Sequence, residues 1–458
     1  MHMTKTGLRA ATRAAAHAAA LVASLGSATA ATATSTLEGW ALMPANTFAD
    51  GPTTGQFAGT GNGGNALPLL NKQAVQGFSA VLAGPTAGSF LFMPDNGFGA
   101  QSNSADALLR MYAVLPDFKT ALGSSGTVSA ANFNTGAPQP AFTASSFITL
   151  SDPDNLLGIK IQADFKRHYN KASNPLVAAS IRDDRLLTGA DFDIESVRKD
   201  KNGNLWFGEE FGPYLVKTNA KGSVLRREIA MPGVFAPENV AVVNGNVSAN
   251  LGGSRGFEGM AINPAGDRLY TLLEGTVAGD PAKSLRINAF DVNTERYTGQ
   301  QWTYQLEAQG TNIGDMTAIN DHEFVVIERN GGTATSGTPF KKIFRIDLNA
   351  TDGAGHVAKT ELVDLMNIAD PHDLNGDGST TFTFPFVTIE SVLILDANTL
   401  LVANDNNYPG TGGRVAGVSD NTEFLKIHLA SPVPEPGTYA LMLAGLGGLA
   451  GLLRRRKA

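Results

Sequence analysis

The chain has 458 residues, a net charge of −7 and no cysteine, and 43% of its residues are hydrophobic. The absence of cysteine excludes disulfide bonds and thiolate-ligated metals. Abundant glycine (51 residues) and a charged fraction of only 17% favour many short strands joined by turns over a helical fold.

The first 30 residues have the composition of a secretion signal. Lys5, Arg9 and Arg13 form a basic start, residues 14–25 are small and apolar, and residues 28–30 read Ala-Thr-Ala, a suitable cleavage site. An ordinary amphipathic helix is the alternative, but no acidic residue occurs before Glu38. We therefore predict that residues 1–30 are a signal peptide and that the protein is exported.

A hairpin pattern then recurs five times between residues 77 and 407. In each copy a strand carries a polar residue near its start, a turn follows, and the return strand ends on a second polar residue. The five pairs, with their spacings, are Ser79 and Asp95 (16), Glu195 and Glu209 (14), Glu258 and Glu274 (16), Asp315 and Glu328 (13), and Glu390 and Asn404 (14). Such constant spacing indicates a structural repeat.

Further alternating strands at 284–291, 341–347 and 423–429 follow the later hairpins, so each repeat reads as four strands. Four-stranded units of about this size, arranged radially, are the blades of a β-propeller. The 116-residue gap from Ser79 to Glu195 has room for another, degenerate unit. We predict an all-β propeller over residues 31–431 with six blades, five or seven being the alternatives, and a partly helical insertion at 156–180.

The innermost strands of a propeller lie along its central channel, so the repeated carboxylates should converge at one channel mouth. They cannot all stay ionised there without a counter-charge, and Ca²⁺ prefers oxygen ligands in this number. The predicted metal ligands are Glu195, Glu258, Asp315, Glu328, Glu390 and Asp405. The alternative is that these acids cap turns and bind backbone N–H groups within each blade.

Residues 432–458 form a second sorting segment. Pro434, Glu435 and Pro436 precede a 16-residue uncharged run at 438–453, and three arginines and a lysine follow. This order resembles the PEP-CTERM sorting signal of Gram-negative bacteria. The resemblance implies processing by an exosortase, transient anchoring by a short transmembrane helix, and delivery to the cell envelope, cell surface or extracellular matrix. A permanent single-span anchor is the alternative.

Without its two terminal segments the chain has 28 Lys and Arg residues against 41 Asp and Glu residues, a net charge of −13. Nucleic acids attract proteins chiefly through basic side chains on their surface. So acidic a chain argues against nucleic acid as a partner.

Motifs from 193 to 407 resemble the phytase-like ("esterase-like activity of phytase") family. They are D-I-E at 193–195, L-W-F-G-E-E-F-G-P-Y at 205–214, R-G-F-E-G-M at 255–260, V-I-E-R at 326–329 and A-N-D-N-N at 403–407. The resemblance covers residues 77–429 and implies phosphoric-ester hydrolysis on a propeller scaffold. Ser79 stands where the other copies carry an acid, so the first blade is expected to lack that ligand.

Hydrolysis of a small phosphorylated or otherwise anionic substrate at an acidic mouth needs a bound cation, which we expect to be Ca²⁺, to reverse the local field. Metals and basic side chains would then stabilise the equatorial oxygens of the phosphoryl group. The candidate catalytic residues are Glu209, Glu210, Glu258, Arg255 and Arg329. Structural ion pairs are the alternative for the arginines.

Two other functions fit the same pattern: a non-catalytic surface propeller that binds extracellular polysaccharide or proteins, and a calcium-dependent lactonase. No G-x-S-x-G, H-E-x-x-H or P-loop motif occurs. The D-x-N-x-D-G segment at 373–378 matches the start of a calcium loop, but Phe384 occupies the twelfth position, where a bidentate Glu is needed. We predict a surface turn there, with weak Ca²⁺ binding as the alternative.

Overall fold

The computed structural model of the protein describes residues 34–59, 66–410 and 412–434. The expected signal peptide at 1–30 and the apolar run at 438–453 lie outside the described residues, so both remain predictions. Among the helices that are described, none has the length and apolar character needed to cross a membrane.

Strands dominate the described chain. The first thirteen are β1 Thr36–Met43, β2 Phe48–Asp50, β3 Lys72–Ala74, β4 Phe78–Ala83, β5 Phe90–Pro94, β6 Arg110–Asp117, β7 Thr127–Ala131, β8 Pro138–Gln139, β9 Phe147–Thr149, β10 Ile194–Lys199, β11 Leu205–Glu209, β12 Tyr214–Thr218 and β13 Ile229–Ala230. The others are β14 Gly259–Ile262, β15 Arg268–Leu272, β16 Ser284–Asp291, β17 Arg296–Gln305, β18 Asn312–Ala318, β19 Glu323–Arg329, β20 Lys341–Thr351, β21 Val357–Asp364, β22 Ile368–Ala369, β23 Thr381–Phe382, β24 Thr388–Asp396, β25 Thr399–Asp405 and β26 Thr422–His428.

Helices are short wherever the structure describes them. Two 3₁₀ segments span Gln162–Asp164 and His168–Asn170, and the α-helices are α1 Ala179–Asp183 and α2 Val240–Val243. The insertion predicted at 156–180 is therefore only partly helical, since its two 3₁₀ segments and the start of α1 are joined by irregular chain.

The strands assemble into five four-stranded units, which we call blades 1 to 5. Blade 1 is β4–β7, blade 2 is β10–β13, blade 3 is β14–β17, blade 4 is β18–β21, and blade 5 is β24–β26 completed by β1. The first strands of the five blades contact one another in a closed circuit, β4–β10–β14–β18–β24 and back to β4. This closed circuit of first strands confirms the β-propeller. The strands surround its central axis, and we call the end of the axis at which they begin the channel mouth.

A sixth unit is not formed by the strands described here. The long gap between the first two repeats instead supplies β8 and β9, which pair with β7 and β6 and so widen blade 1. The rest of the gap is the irregular insertion. Six was the blade number favoured from the sequence, and the strand pairing gives five among the described residues.

The chain closes the ring with its first described strand. β1 pairs antiparallel with β26, from Thr36 opposite His428 to Met43 opposite Thr422. It also makes a single parallel bridge to blade 1, Leu42 to Thr127. The outermost strand of blade 5 thus comes from the other end of the described chain.

Each pair of neighbouring blades encloses its own hydrophobic cluster. Between blades 2 and 3, for example, Trp206 packs with Phe257 and Phe290. Between blades 5 and 1, the rings of Phe424 and Phe92 meet edge to face with centroids 5.1 Å apart. Full burial of each such side chain contributes roughly 1.5–3 kcal/mol, so the blades are held mainly by these interfaces.

The turns inside the first hairpins of blades 2, 3 and 4 share one chemistry. Asp200, Asn263 and Asn320 each accept two backbone N–H hydrogen bonds through Oδ1 from residues further along the turn. Side chains of this type stabilise tight turns. The turns hold each hairpin in register. The start of its first strand and the end of its second strand therefore lie side by side at the end of the hairpin away from the turn.

Candidate metal centre at the channel mouth

A β-bulge recurs at the start of the first strand of several blades. The residue left out of the ladder is Ser79 in blade 1, Glu195 in blade 2 and Glu390 in blade 5, and a similar irregularity in blade 4 spans residues 314–315. Bulges redirect side chains and are frequent beside functional sites. Here Ser79 Oγ donates to Glu390 Oε2 at 3.3 Å across the blade boundary, so the bulged side chains converge.

The second strand of each blade delivers another polar side chain to the same mouth. For blades 1 to 5 these residues are Asp95, Glu210, Glu274, Arg329 and Asp405, each at the end of its strand or one or two residues beyond. Four blades thus supply a carboxylate and one supplies a guanidinium group.

Five carboxylate side chains lie close together at the centre of this arrangement. One oxygen each from Asp193, Glu195 and Glu210 lie within 4.8 Å of one another, and the same holds for Glu210, Glu258 and Glu274. Glu210 belongs to both groups, and all five side chains are buried. Asp193 Oδ1 and Glu210 Oε1 have no hydrogen-bond partner within the described part of the chain. Buried polar atoms are rarely left unpaired unless water or an ion satisfies them.

Burial and crowding make these carboxyl groups resist ionisation. Burial, reinforced by the neighbouring carboxylates, raises the pKa of Glu195, Glu210 and Glu258 well above the usual range. Burial likewise raises the pKa of Asp193 to about 6 and that of Glu390 to about 8. Ionised carboxylates this close together repel one another, and a bound cation would offset that repulsion and lower their pKa values.

Arg329 is the one described cation inside the cluster. Its Nη2 lies 2.9 Å from Glu258 Oε1, 2.5 Å from Glu390 Oε1 and 3.3 Å from Glu274 Oε1. Burial by itself lowers the pKa of Arg329, but the three carboxylates raise it above its ordinary value. Arg329 thus joins blades 3, 4 and 5 at the mouth.

Arg255 lies at the rim of the same cluster. Its Nη1 is 2.9 Å from Glu274 Oε2, and 41% of its side chain is exposed. Asn312 Nδ2 donates to the other oxygen of Glu274 at 2.6 Å. Arg255 is consequently the predicted catalytic residue best placed to meet a ligand arriving from solvent.

Asp95 and Asp405 extend the acidic surface toward blades 1 and 5. Both flank Gly77, where a Cβ atom would lie 2.8 Å from Asp95 Oδ1 and 3.6 Å from Asp405 Oδ1. The pKa of Asp95 is raised well above normal, first by burial and then by Asp405, Asp193 and Glu390. Asp95 therefore lies close enough to Asp193 and Glu390 to interact with them electrostatically, and we include it in the acidic mouth.

Glu328, a predicted metal ligand, lies away from the acidic mouth. Its Oε2 accepts from the Tyr304 hydroxyl at 2.6 Å and from Lys359 Nζ at 2.8 Å, and its Oε1 accepts from the Glu307 N–H at 2.6 Å. These partners belong to the outer part of blades 3 and 4. The neighbouring residue Arg329, on the opposite face of β19, is the one that reaches the channel.

Asp315 is likewise held by the protein itself. Its Oδ1 forms a buried ion pair with Arg198 Nη2 at 2.7 Å, and its Oδ2 accepts from the Val392 N–H at 3.2 Å. Burial raises the pKa of Asp315 to about 6 although Arg198 opposes the shift. The structure thus gives Asp315 a role in joining blades 2, 4 and 5.

Glu209, a predicted catalytic residue, accepts hydrogen bonds from the backbone of the loop that follows it. Its Oε2 accepts from the Phe211 N–H at 2.8 Å, and its Oε1 accepts from the N–H groups of Gly212 and Tyr214, both at 2.7 Å. This matches the turn-capping alternative considered for the repeated acids. The adjacent Glu210 has the free oxygen and points into the cluster.

Of the predicted metal ligands, the structure brings Glu195, Glu258, Glu390 and Asp405 to the acidic mouth, and of the predicted catalytic residues Glu210, Arg255 and Arg329 as well. Sequence reasoning left Asp95, Asp193 and Glu274 out of the site. Asp95 and Glu274 occupy the second polar position of their repeats, and Asp193 stands two residues before Glu195 on an alternating segment. The repeat was therefore a signal that could have identified Asp95 and Glu274, and proximity to Glu195 was the signal for Asp193.

The segment at 373–378 forms a surface turn, as predicted. Asp373 uses both carboxylate oxygens to accept from the Gly378 N–H at 3.1 Å, and Asn375 Nδ2 donates to Asp377 Oδ2 at 2.9 Å. Its polar groups are thus engaged with one another, and weak Ca²⁺ binding there remains a prediction.

The family model described as "Phytase-like: Esterase-like activity of phytase" matches residues 73–408. The chain belongs to the phytase-like family. The resemblance drawn from the motifs is thereby confirmed, and the acidic mouth lies entirely within the matched part of this phytase-like chain.

The PEP-CTERM protein-sorting motif matches residues 432–457. This phytase-like protein therefore carries a signal for export and association with the cell envelope, and the motif implies processing by an exosortase.

An uncharacterized secreted protein of Arthroderma benhamiae is 25% identical over 262 residues, which are 51% of this chain and 46% of that protein. The chain thus spans about half the length of the curated relative it matches.

Three solved structures show weak likeness. One is a luciferin-regenerating enzyme, which is 10% identical and covers 89% of this chain and 98% of its own, with a TM-score of 0.34. Another is the calcium-binding protein regucalcin of Agrobacterium tumefaciens C58, which is 11% identical and covers 78% of this chain and 92% of its own, with a TM-score of 0.34. A putative exo-beta-1,3-galactanase from Bifidobacterium bifidum s17 (10%, 79% and 91%, 0.36) is the third. These likenesses carry no weight for function, and the propeller fold rests on the strand pairing and the closed circuit of first strands.

Proposed function

We propose that the channel mouth binds divalent cations, Ca²⁺ being the best fit, and that the protein uses this centre to hydrolyse a phosphoric ester outside the cytoplasm. The observation that supports this most is the sharing of Glu210 by two groups of three carboxylates, with oxygens of Asp193 and Glu210 left unpaired.

The side chains at the mouth fit a hard cation. Every candidate ligand is a carboxylate oxygen, and Ca²⁺ takes six to eight oxygen ligands with flexible geometry. Asp193, Glu195 and Glu210 would hold one cation, and Glu210, Glu258 and Glu274 a second. Arg329 keeps Glu258 and Glu390 in place, so fewer carboxylates have to reorganise when a cation binds.

When bound, such a cation supplies Lewis acidity toward a phosphoryl oxygen and lowers the pKa of bound water. The chain's own residues do the rest. Arg255, half exposed at the rim, orients an anionic phosphoryl group through the guanidinium N–H groups that Glu274 does not use. Asp193 would ligate the cation through one carboxylate oxygen and would accept a proton from water through the other. Glu209 holds the loop at 211–214 beside Glu210.

A second function is favoured by the shortage of free basic groups. Arg329 is engaged with three carboxylates, and Arg255 with one. A polyanion such as phytate would meet few cations beyond the metal. A cation-stabilised propeller that binds extracellular polysaccharide is therefore the alternative, and the lactonase expectation stays a third proposal that the same assay separates.

The test compares the wild type with Glu210→Gln, after chelation and with Ca²⁺ added back. We expect Ca²⁺ to raise the melting temperature and to support phosphate release from an aryl phosphate, and both effects to be lost in Glu210→Gln. Glu361→Gln, which changes a half-exposed carboxylate paired with Lys342, is the matched control and should behave as wild type.

Stabilisation by Ca²⁺ without phosphate release would support the binding propeller, or the lactonase if a lactone is opened instead. The absence of any Ca²⁺ effect on the melting temperature of the wild type would overturn the metal centre.

A further inference from the structure

A cavity of about 290 Å³ opens beside the acidic mouth, between the start of the chain's first repeat and the loop after β25. It shares Asp95, Asp405 and Gly77 with the mouth. Ligand pockets are usually concave sites of about 300 Å³ or more, so this one has room for a single ring-sized group. Its contact with two carboxylates of the mouth makes it continuous with the candidate metal centre.

No basic side chain lines the cavity among the described residues. Its described lining includes no lysine or arginine, and the carboxylic acids in it are Asp95 and Asp405. A second phosphate group would meet two acidic side chains there and no basic side chain of the described lining to compensate its charge. The lining therefore disfavours the polyanionic part of any substrate.

The amide side chains in the wall already donate to protein oxygens. The amide nitrogen of Gln73 donates to the carbonyls of Pro52 and Asp106, and that of Gln76 donates to the carbonyl of Pro44. The two asparagines are engaged similarly: Asn103 donates to the Phe98 carbonyl at 2.8 Å, and Asn407 donates to the Thr388 hydroxyl. Most hydrogen-bond donors of the wall are thus committed to the fold.

Acceptors, in contrast, remain available. Asp95 accepts a backbone hydrogen bond through Oδ1 only, from Gly97 at 2.8 Å, and Asn407 has no hydrogen bond to Oδ1 in the described part of the chain. A wall rich in acceptors binds a ligand rich in donors, and hydroxyl groups are neutral donors. The aromatic rings of Phe98 and Tyr408 supply apolar surface next to these acceptors.

We infer that this cavity binds a neutral, hydroxyl-rich group, such as a monosaccharide or a cyclic polyol. The identity of the substrate rests in addition on the proposed function. The substrate is then a phosphoric monoester of a polyol or sugar, with its phosphoryl group at the metal centre and its alcohol part in the cavity. Phytate, with a phosphate on every carbon, does not fit this description.

The test measures binding of the alcohol part by itself, so that it does not depend on turnover. The full chain, with Ca²⁺ present, is titrated with glucose and with myo-inositol, and binding is followed by saturation-transfer NMR. We expect transfer to at least one of these polyols from wild type, and a drop of about fivefold or more in Phe98→Ala and in Ala74→Leu, which adds side-chain volume to the cavity wall. Leu122→Ala, at a side chain 99% exposed and distant in sequence from the cavity lining, is the control and should keep the wild-type signal.

Absence of transfer from both polyols in folded wild-type protein would overturn the inference, as would equal transfer in all three variants. Preferential binding of an amine such as glucosamine, with none of glucose, would also overturn it, because the carboxylates would then be selecting charge. If polyols bind as expected but no phosphoric monoester is hydrolysed, the proposed catalytic function fails while the cavity assignment stands.

Discussion

Arg329 and Glu390 meet across the boundary between blades 4 and 5, with Nη2 and Oε1 2.5 Å apart. The same nitrogen also contacts Glu258 and Glu274 of blade 3. One buried guanidinium group thus partly neutralises three carboxylates, and removing it would leave their charge buried and unpaired.

Arg329→Met should therefore destabilise the metal-free protein by about 3–5 kcal/mol, the usual cost of breaking a buried ion pair from one side. Added Ca²⁺ should recover much of this loss, since a cation replaces the missing charge. Chemical denaturation with and without a chelator measures both effects. Arg226→Met, which removes an arginine more than one-third exposed and paired with Glu295, is the control and should cost about 1 kcal/mol or less. A loss in Arg329→Met no greater than in this control would contradict the assigned role.

The buried ion pair of Arg198 and Asp315 gives a prediction in which Ca²⁺ does not restore the lost stability. Arg198→Met should also destabilise by about 3–5 kcal/mol, because Asp315 loses its one ion-pair partner. Ca²⁺ should not restore this loss, since Asp315 is bonded to the protein and not part of the shared carboxylate groups. The double variant Arg198→Met with Asp315→Leu should be more stable than Arg198→Met alone. Selective rescue of Arg198→Met by Ca²⁺ would instead return Asp315 to the metal ligands.

Gly77 tests how tightly the mouth is packed. It has φ of 75°, and a Cβ would lie 2.8 Å from Asp95 Oδ1, whereas Gly88 has φ of 83° with nothing within 4 Å. Gly88→Ala should therefore cost only the left-handed backbone strain, about 1–2 kcal/mol. Gly77→Ala should cost at least about 1 kcal/mol more and should weaken Ca²⁺ stabilisation by displacing Asp95. Equal unfolding free energies for the two variants would show that the close approach has no energetic weight.

Lys341, which interacts electrostatically with Arg329 and Glu390, offers a pH-dependent prediction. This fully buried side chain donates to the carbonyls of Asn330 and Val387, and burial lowers its pKa to about 7. Because the folded pKa is depressed, its contribution to stability is fully present above the unfolded pKa of about 10.4 and is lost as the pH falls toward about 7. The stability of Lys341→Met relative to wild type should thus rise as the pH falls from about 10 to about 7, by up to about 1.4 kcal/mol per pH unit. Urea unfolding of both proteins at several pH values measures this difference, and a pH-independent difference would contradict it.

Much of the architecture followed from local sequence patterns. The alternation of β16 and the start of β20 and the near-constant spacing of polar residues are properties of short segments, and each is found as predicted. The family was also readable from contiguous motifs. These features needed no knowledge of which segments meet in space.

Deciding which of two adjacent residues faces the channel mouth did require the tertiary structure. Side chains alternate along a strand, so a shift of one residue exchanges the channel face for the face between blades. At the ends of β11 and β19 the structure directs Glu210 and Arg329 to the mouth, while the adjacent Glu209 and Glu328 bond to protein groups elsewhere.

The sequence by itself therefore determined the family, the repeat and the kind of side chain that gathers at the channel. Only the tertiary structure decided the five described blades, the completion of blade 5 by β1, and the membership of Asp193 and Glu274 in the carboxylate cluster. The physical reason is that these depend on contacts between segments far apart in sequence: β8 and β9 join blade 1 instead of starting a new unit, and carboxylates of neighbouring blades meet only when the blades pack against each other.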